Sequence, residues 1–168
     1  VQLARLMGAG KVIGTASNET KLDLVHRLGA DAAINYTEDS WVEQVKVATA
    51  GRGVDVVLEV VGGKIAEESL QCMAPFGRMV IIGAASGQRP QFTGTQLMYK
   101  NLSVTGYWLS AWMNYPDHIA AATMELMKFL ASGKLQIIVG QTFPLAEAAA
   151  AHRAIAERKT TGKVVLLV

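Results

Sequence analysis

Short runs of aliphatic and β-branched residues alternate along the chain with segments of helical period, the alternation that a mostly parallel sheet with helices on its faces requires. Lys11 to Ala16 reads as the first strand. Ser17 or Asn18 caps the helix after it, which carries Leu22, Val25 and Leu28 on one face and stops at Gly29. Ala32 to Asn35 is a second short strand, and Ser40-Trp41-Val42-Glu43 fits the Ser-x-x-Glu capping box of a helix that Gly51 closes. Val54 to Val61 contains Val56-Val57-Leu58 without a polar interruption, which predicts a strand buried on both sheet faces. It ends at Gly62-Gly63, where a helix through Leu70 and Met73 begins. Arg78 to Ile82, Leu102 to Trp108, Leu135 to Gly140 and Lys163 to Val168 complete the predicted strands. Asp117 to Ser132 and Leu145 to Glu157 complete the predicted helices. Between Gly83 and about residue 94 the chain is rich in Gly, Ser, Gln and Pro and follows a strand's carboxyl end, where loops carry function.

Composition removes several classes of function. A chain of 168 residues supports one domain with a real core, not two. Its 16 Lys and Arg balance 14 Asp and Glu and form no basic stripe for nucleic acid. Charged residues are 18%, below the roughly 25% usual for soluble domains, so part of the surface is expected to face another domain or subunit. The longest apolar runs, such as Met79 to Ile82 and Val164 to Val168, fall far short of the ~20 residues of a membrane span. Cys72 is the one cysteine, which permits no internal disulfide and suits a cytoplasmic location. His26, His118 and His152 stand apart on predicted helices and read as packing or surface residues, so no metal site is expected. Neither a Ser/His/Asp set nor a carboxylate pair appears, and no catalytic residue is named.

A dinucleotide-binding unit needs a glycine-rich turn between a strand and the helix that follows it. The nearest candidate, Gly8-Ala9-Gly10-Lys11-Val12-Ile13-Gly14, has one residue too many before its third glycine and lies between a helix and a strand instead. The first strand and phosphate loop of such a unit are therefore expected upstream of Val1, whose opening segment reads as a helix already in progress. The end of the Lys11 to Ala16 strand is more informative. An acid there would bind a ribose 2′-hydroxyl and repel a 2′-phosphate. Here the chain offers the Ser17 hydroxyl, the Asn18 amide and, one helical turn on, the Lys21 cation, with Tyr36 at the end of the adjacent strand. Singly these are a helix cap, a solvated lysine and a half-buried tyrosine. Together at neighbouring strand ends they suit an anion.

Seven stretches extend this reading. Lys11-Val12-Ile13-Gly14-Thr15-Ala16-Ser17, Leu28-Gly29-Ala30-Asp31, Ile34-Asn35-Tyr36, Gly51-Arg52-Gly53-Val54-Asp55-Val56-Val57, Val61-Gly62-Gly63, Gly77-Arg78-Met79-Val80 with Ile82-Gly83, and Lys159-Thr160-Thr161-Gly162-Lys163-Val164-Val165 run through nearly the whole chain. They resemble, in order and spacing, the medium-chain dehydrogenase/reductase superfamily, and within it the NADPH:quinone oxidoreductase branch typified by zeta-crystallin. The resemblance implies an α/β, doubly wound parallel sheet of Rossmann type that lacks its first strand and glycine-rich loop in this chain. Residues 1–144 would form the NADP-binding domain and 145–168 a helix and strand that return to a catalytic domain.

It further implies zinc-independent hydride transfer from NADPH to a quinone or an α,β-unsaturated carbonyl, with the fragment alone inactive. Carried over by position, Ser17, Asn18, Lys21 and Tyr36 would contact the 2′-phosphate and adenosine, and Val61 the ribose. Ile82, Gly83, Ala84 and Ala85 would form the loop beside the nicotinamide. Trp108, Leu109 and Ser110 would follow the next strand, and Arg158 would reach in from the tail. Trp108 and Trp112 are candidates for the substrate pocket. The stretch Gly106-Tyr107-Trp108-Leu109-Ser110-Ala111-Trp112 is also similar to the 2-enoyl thioester reductases, which gives a competing acceptor. The strand Leu102 to Tyr107 would pair with its mate in a homodimer. A non-catalytic interaction module on the same scaffold is the alternative from another class.

Overall fold

A computed structural model describes residues 1–168. It contains α1 (Gln2–Leu6), β1 (Ile13–Ala16), α2 (Glu19–Arg27), β2 (Ala32–Asn35), α3 (Trp41–Ala48), β3 (Val54–Glu59), α4 (Gly63–Cys72), β4 (Met73–Ile81), α5 (Gly94–Met98), β5 (Ser103–Gly106), α6 (Leu109–Trp112), α7 (Pro116–Ala131), β6 (Val139–Pro144), α8 (Ala148–Ala156) and β7 (Lys163–Leu167). Every strand pair is parallel, in sheets ordered β1-β2, β3-β4-β5 and β6-β7. The α/β class with parallel sheets is therefore as the sequence predicts. The chain forms two compact units, Val1–Ala120 and Ala121–Val168, and the second holds the β6-β7 pair with α8. No helix is long and apolar enough to cross a membrane.

In the first unit two clusters hold the layers together. Ile34, Trp41, Val45 and Cys72 are buried, with Ile13 of β1 and Val54 of β3 packed against them, so both sheets share this core. Leu70, Met73 and Met79 form the second, with Val57, Ile81 and Val104 around them. Trp41 is only 5% exposed, and its indole Nε1 donates to Glu68 Oε2 at 2.9 Å, which satisfies the one polar atom that its burial would orphan. Cys72 lies on the inner face of α4, where burial pushes its thiol up to about 11.

Several expectations need correction. The capping box at Ser40 does not form: Ser40 has non-extended backbone (φ −89, ψ 3) and no side-chain cap bond. Its Oγ instead accepts from Gln44 Nε2 at 3.0 Å, while Glu43 pairs with Lys46. The first strand starts at Ile13, because Val12 N is drawn to the Asp31 carboxylate and Lys11 Nζ donates to Ala48 O. β3 is not buried on both faces. It is an edge strand, with Leu70 of α4 beside Val57, and Val56, Leu58 and Val60 on the other face are 48%, 64% and 51% exposed. β4 begins at Met73, directly after α4, and α5 follows directly on the stretch read as loop. A Thr93/Gln96 capping box starts α5, a Thr-x-x-Gln signal present in the sequence. The strand expected at Leu135 to Gly140 runs from Val139 to Pro144, since Leu135 N still bonds back to Phe129 O at the end of α7.

One surface tie has a pH consequence. The Asp31 carboxylate accepts from Val12 N at 2.7 Å and pairs with Arg5, whose Nε also donates to Gly29 O at 2.9 Å. The Val12 N–H first, and then the Arg5 guanidinium, hold the Asp31 carboxyl below the ordinary carboxylate range. A lowered folded-state value means the contribution is complete above the unfolded carboxyl's pKa and is lost as pH falls through the folded one. The melting temperatures of wild type and Asp31→Asn should therefore differ at pH 7, and the gap should shrink progressively as pH falls below about 4. A gap undiminished at pH 2 would remove the charge from the account.

Candidate functional site

The carboxyl ends of the strands in the first unit gather most of the residues singled out from the sequence. Ala16 pairs with Asn35 in the parallel register, and Tyr36 N donates to Ala16 O at 3.1 Å, so the exits of β1 and β2 lie side by side. Ser17 leads into Asn18, whose extended backbone (φ −161, ψ 163) makes it the N-cap of α2. Asn18 Oδ1 accepts from Lys21 N at 3.0 Å, which commits the amide oxygen to the helix and leaves the NH2 group as the side chain's donor. Lys21 stands in the first turn of α2. Glu19, the acid in that turn, is exposed and solvent-screened. Asn35 Oδ1 accepts from Thr37 N and Thr37 Oγ1 at 3.1 and 2.7 Å, a side-chain turn that fixes the backbone on both sides of Tyr36. Tyr36 is half-buried against the Trp41 cluster and walls a cleft of about 180 Å3 that reaches Lys64 and Glu68 of α4.

A second group forms at the ends of β3 and β4. The Glu59 carboxylate folds back onto the turn that follows it and accepts from Val61 N at 2.7 Å and Gly62 N at 3.2 Å. The loop after β4 is strapped to that turn by backbone bonds. Ile82 N donates to Glu59 O, Ala85 N to Val60 O and Ser86 N to Val61 O at 2.8, 2.9 and 2.8 Å, and Gly63 N returns a bond to Gln88 O at 3.0 Å. Val61 and Ile82 to Ala85 are thereby brought together, with Gly83 half-buried and Ile82, Ala84 and Ala85 exposed. Sequence reasoning missed Glu59. The available signal was an acid closing the apolar run Val56 to Leu58 just before Gly62-Gly63.

Tyr107 N donates to Ile81 O at 2.8 Å, so the segment beyond β5 leaves beside the same loop. Trp108 caps α6 and is 71% exposed, followed by exposed Leu109 and Ser110. Trp112 turns into an aromatic group instead: it stacks on Tyr107 (centroids 5.8 Å, 22°) and meets Tyr115 at 5.9 Å and His118 edge-on at 5.8 Å. Arg158 belongs to the second unit, just past α8, with a left-handed backbone (φ 57).

The donor set fits an NADP-type ligand in one respect: a hydroxyl, an amide and a cation stand where β1 ends without an acid. It does not fit zinc, which takes three or four converging Cys, His or carboxylate ligands. No group of three or more such residues comes together, and the single thiol is buried and protonated at neutral pH.

Comparison with known proteins identifies the family and the fold. The family described as zinc-binding dehydrogenase matches residues 1–125. A quinone oxidoreductase-like protein 2 homolog of Nematostella vectensis is 36% identical over 168 residues, which is 99% of this chain and 46% of the relative. A 2-haloacrylate reductase of Burkholderia sp is 36% identical over 169 residues, 99% of this chain and 50% of that protein. The crystal structure of Escherichia coli quinone oxidoreductase complexed with NADPH superposes with a TM-score of 0.90 at 34% identity, covering 99% of this chain and 52% of that one. The chain thus spans about half the length of the relatives it matches.

Proposed function

The chain belongs to the zinc-binding dehydrogenase family of the medium-chain dehydrogenase/reductase superfamily, and from that premise we propose that it is the cofactor-binding part of an NADPH-dependent oxidoreductase. What supports the NADP preference is the junction of β1 and β2, where the segment Ser17 to Lys21 and Tyr36 follow neighbouring strand ends and β1 ends without a carboxylate. Ser17, the Asn18 NH2 and the Lys21 ammonium bind the 2′-phosphate, and Tyr36 lays a ring along the adenosine. Val61 meets the ribose, and Ile82 to Ala85 with Trp108 to Ser110 border the nicotinamide, with Arg158 adding a contact from the tail. When bound, NADPH supplies a hydride; the chain's own residues bind it, orient it and keep water from the reacting face.

The acceptor is a quinone or an α,β-unsaturated carbonyl, bounded by Trp108 and Trp112. A conjugated C=C is favoured as much as a quinone, because a 2-haloacrylate is itself an α,β-unsaturated acid and the Burkholderia reductase covers the full stretch. The segment Gly106 to Trp112 supports 2-enoyl thioesters as a second acceptor of the same type. β5 is the edge of its sheet, so its outer side is available to pair with a twofold mate in a homodimer. A cytoplasmic enzyme suits the single reduced thiol.

The test is calorimetric titration of NADPH and NADH into the protein with any segment that precedes Val1 in place, followed by NADPH oxidation with quinones and with 2-enoyl thioesters. Tighter NADPH binding and turnover of one acceptor class are expected. Equal affinity for NADH removes the phosphate site, and binding of neither cofactor leaves a non-catalytic module.

A further inference from the structure

The cofactor reading above makes no use of the most deeply buried charge in the chain. Glu59 is 3% exposed and is the one charged side chain among the buried residues. It takes part in none of the molecule's ion pairs. A carboxylate buried without a cation is tolerated only where hydrogen-bond donors replace its water. Here the donors are the backbone N–H groups of Val61 and Gly62, in the turn that leads into the helix α4, which begins at Gly63.

Two consequences follow from this placement. The carboxylate fixes the turn 60–63, and that turn carries three of the four backbone bonds that strap the loop Ile82 to Gln88 to the sheet edge. The N–H groups of Val61 and Gly62, moreover, are already committed to an internal carboxylate, so they are closed to a phosphate and the turn suits a neutral, hydroxyl-bearing part of a ligand.

Resting on the cofactor reading, we infer that Glu59 is a positioning residue of the cofactor site: through the turn at Val61 and Gly62 it presets the backbone that receives the ribose shared by NADPH and NADH. Its effect is therefore blind to the 2′-phosphate, in contrast to that of Lys21. Glu59→Ala, titrated with both cofactors in the protein with any preceding segment in place, should raise both Kd values by roughly tenfold or more and leave their ratio unchanged. Glu59→Gln keeps one side-chain oxygen at the same reach and should recover most of the loss, remaining about threefold weaker than wild type for both. Should Glu59→Ala not fold, the same threefold loss in Glu59→Gln, with faster amide exchange at Val61 and Gly62, carries the inference. An unchanged Kd in a folded variant, or a loss confined to NADPH, overturns it while the cofactor reading stands. Wild-type protein that binds neither cofactor overturns both.

Discussion

Lys21→Ala should weaken NADPH by about 1.5–3 kcal/mol, roughly 10- to 150-fold in Kd, and leave NADH within a factor of about two. The asymmetry follows from what differs between the two cofactors, a single 2′-phosphate. Lys21 sits in the first turn of α2, whose backbone N–H groups and dipole already favour an anion at its amino end. Alanine is a good helix former, and the bond from Lys21 N to Asn18 Oδ1 uses the backbone, so the helix and its cap survive the substitution. Raising salt from 50 to 500 mM should narrow the NADPH advantage of wild type and hardly change the variant, because a partly exposed charge pair is screened. Calorimetry with both cofactors checks the result, and equal losses for the two would take Lys21 out of the phosphate site.

That site was legible in the sequence because it depends on strand ends and caps, both of which are local. Asn18 is a side-chain cap by residue type, β2 falls at Ala32 to Asn35 as read from the sequence, and parallel pairing then puts Tyr36 beside Ala16. The parts that were not legible depend on partners distant in sequence. Val56, Leu58 and Val60 read as doubly buried because apolar runs report what a residue could cover, not whether an element lies over it. Ser40 and Glu43 have the spacing of a capping box, but the box needs an extended N-cap, and the Glu38 and Asp39 turn delivers Ser40 at ψ 3. The ring contacts of Trp112 were not legible, because they are set by where α6 turns Tyr107, Tyr115 and His118 toward it. Glu59 was passed over because a charge at the end of an apolar strand reads as a surface residue until the following turn is seen to fold over it.

Gly62→Ala should be among the most damaging single-methyl additions in the chain. Gly62 has φ 82 and ψ −173, a region open in practice only to glycine, and holding any other residue there costs about 1–3 kcal/mol. The added methyl has nowhere to go: it would stand 2.7 Å from the Gln88 carbonyl oxygen and 3.3 Å from Ala84. Both belong to the loop that the turn holds, so relief requires the Ser86–Val61 and Gly63–Gln88 bonds to lengthen or break. Gly87 supplies the internal control, since it also has a left-handed backbone (φ 72) but open space where its Cβ would be. Gly87→Ala therefore carries the conformational cost alone, about 1 kcal/mol in the αL region. In urea unfolding followed by tryptophan fluorescence, Gly62→Ala should lose clearly more stability than Gly87→Ala, the excess combining the steeper backbone cost at Gly62 with the contact with the Gln88 loop. Cofactor binding should fall with it for NADPH and NADH alike, because the turn that is disturbed meets the portion the two share. Equal destabilisation by the two substitutions would mean that the loop gives way freely, and the account of the turn and the Ile82 to Gln88 segment as one rigid piece would not survive it.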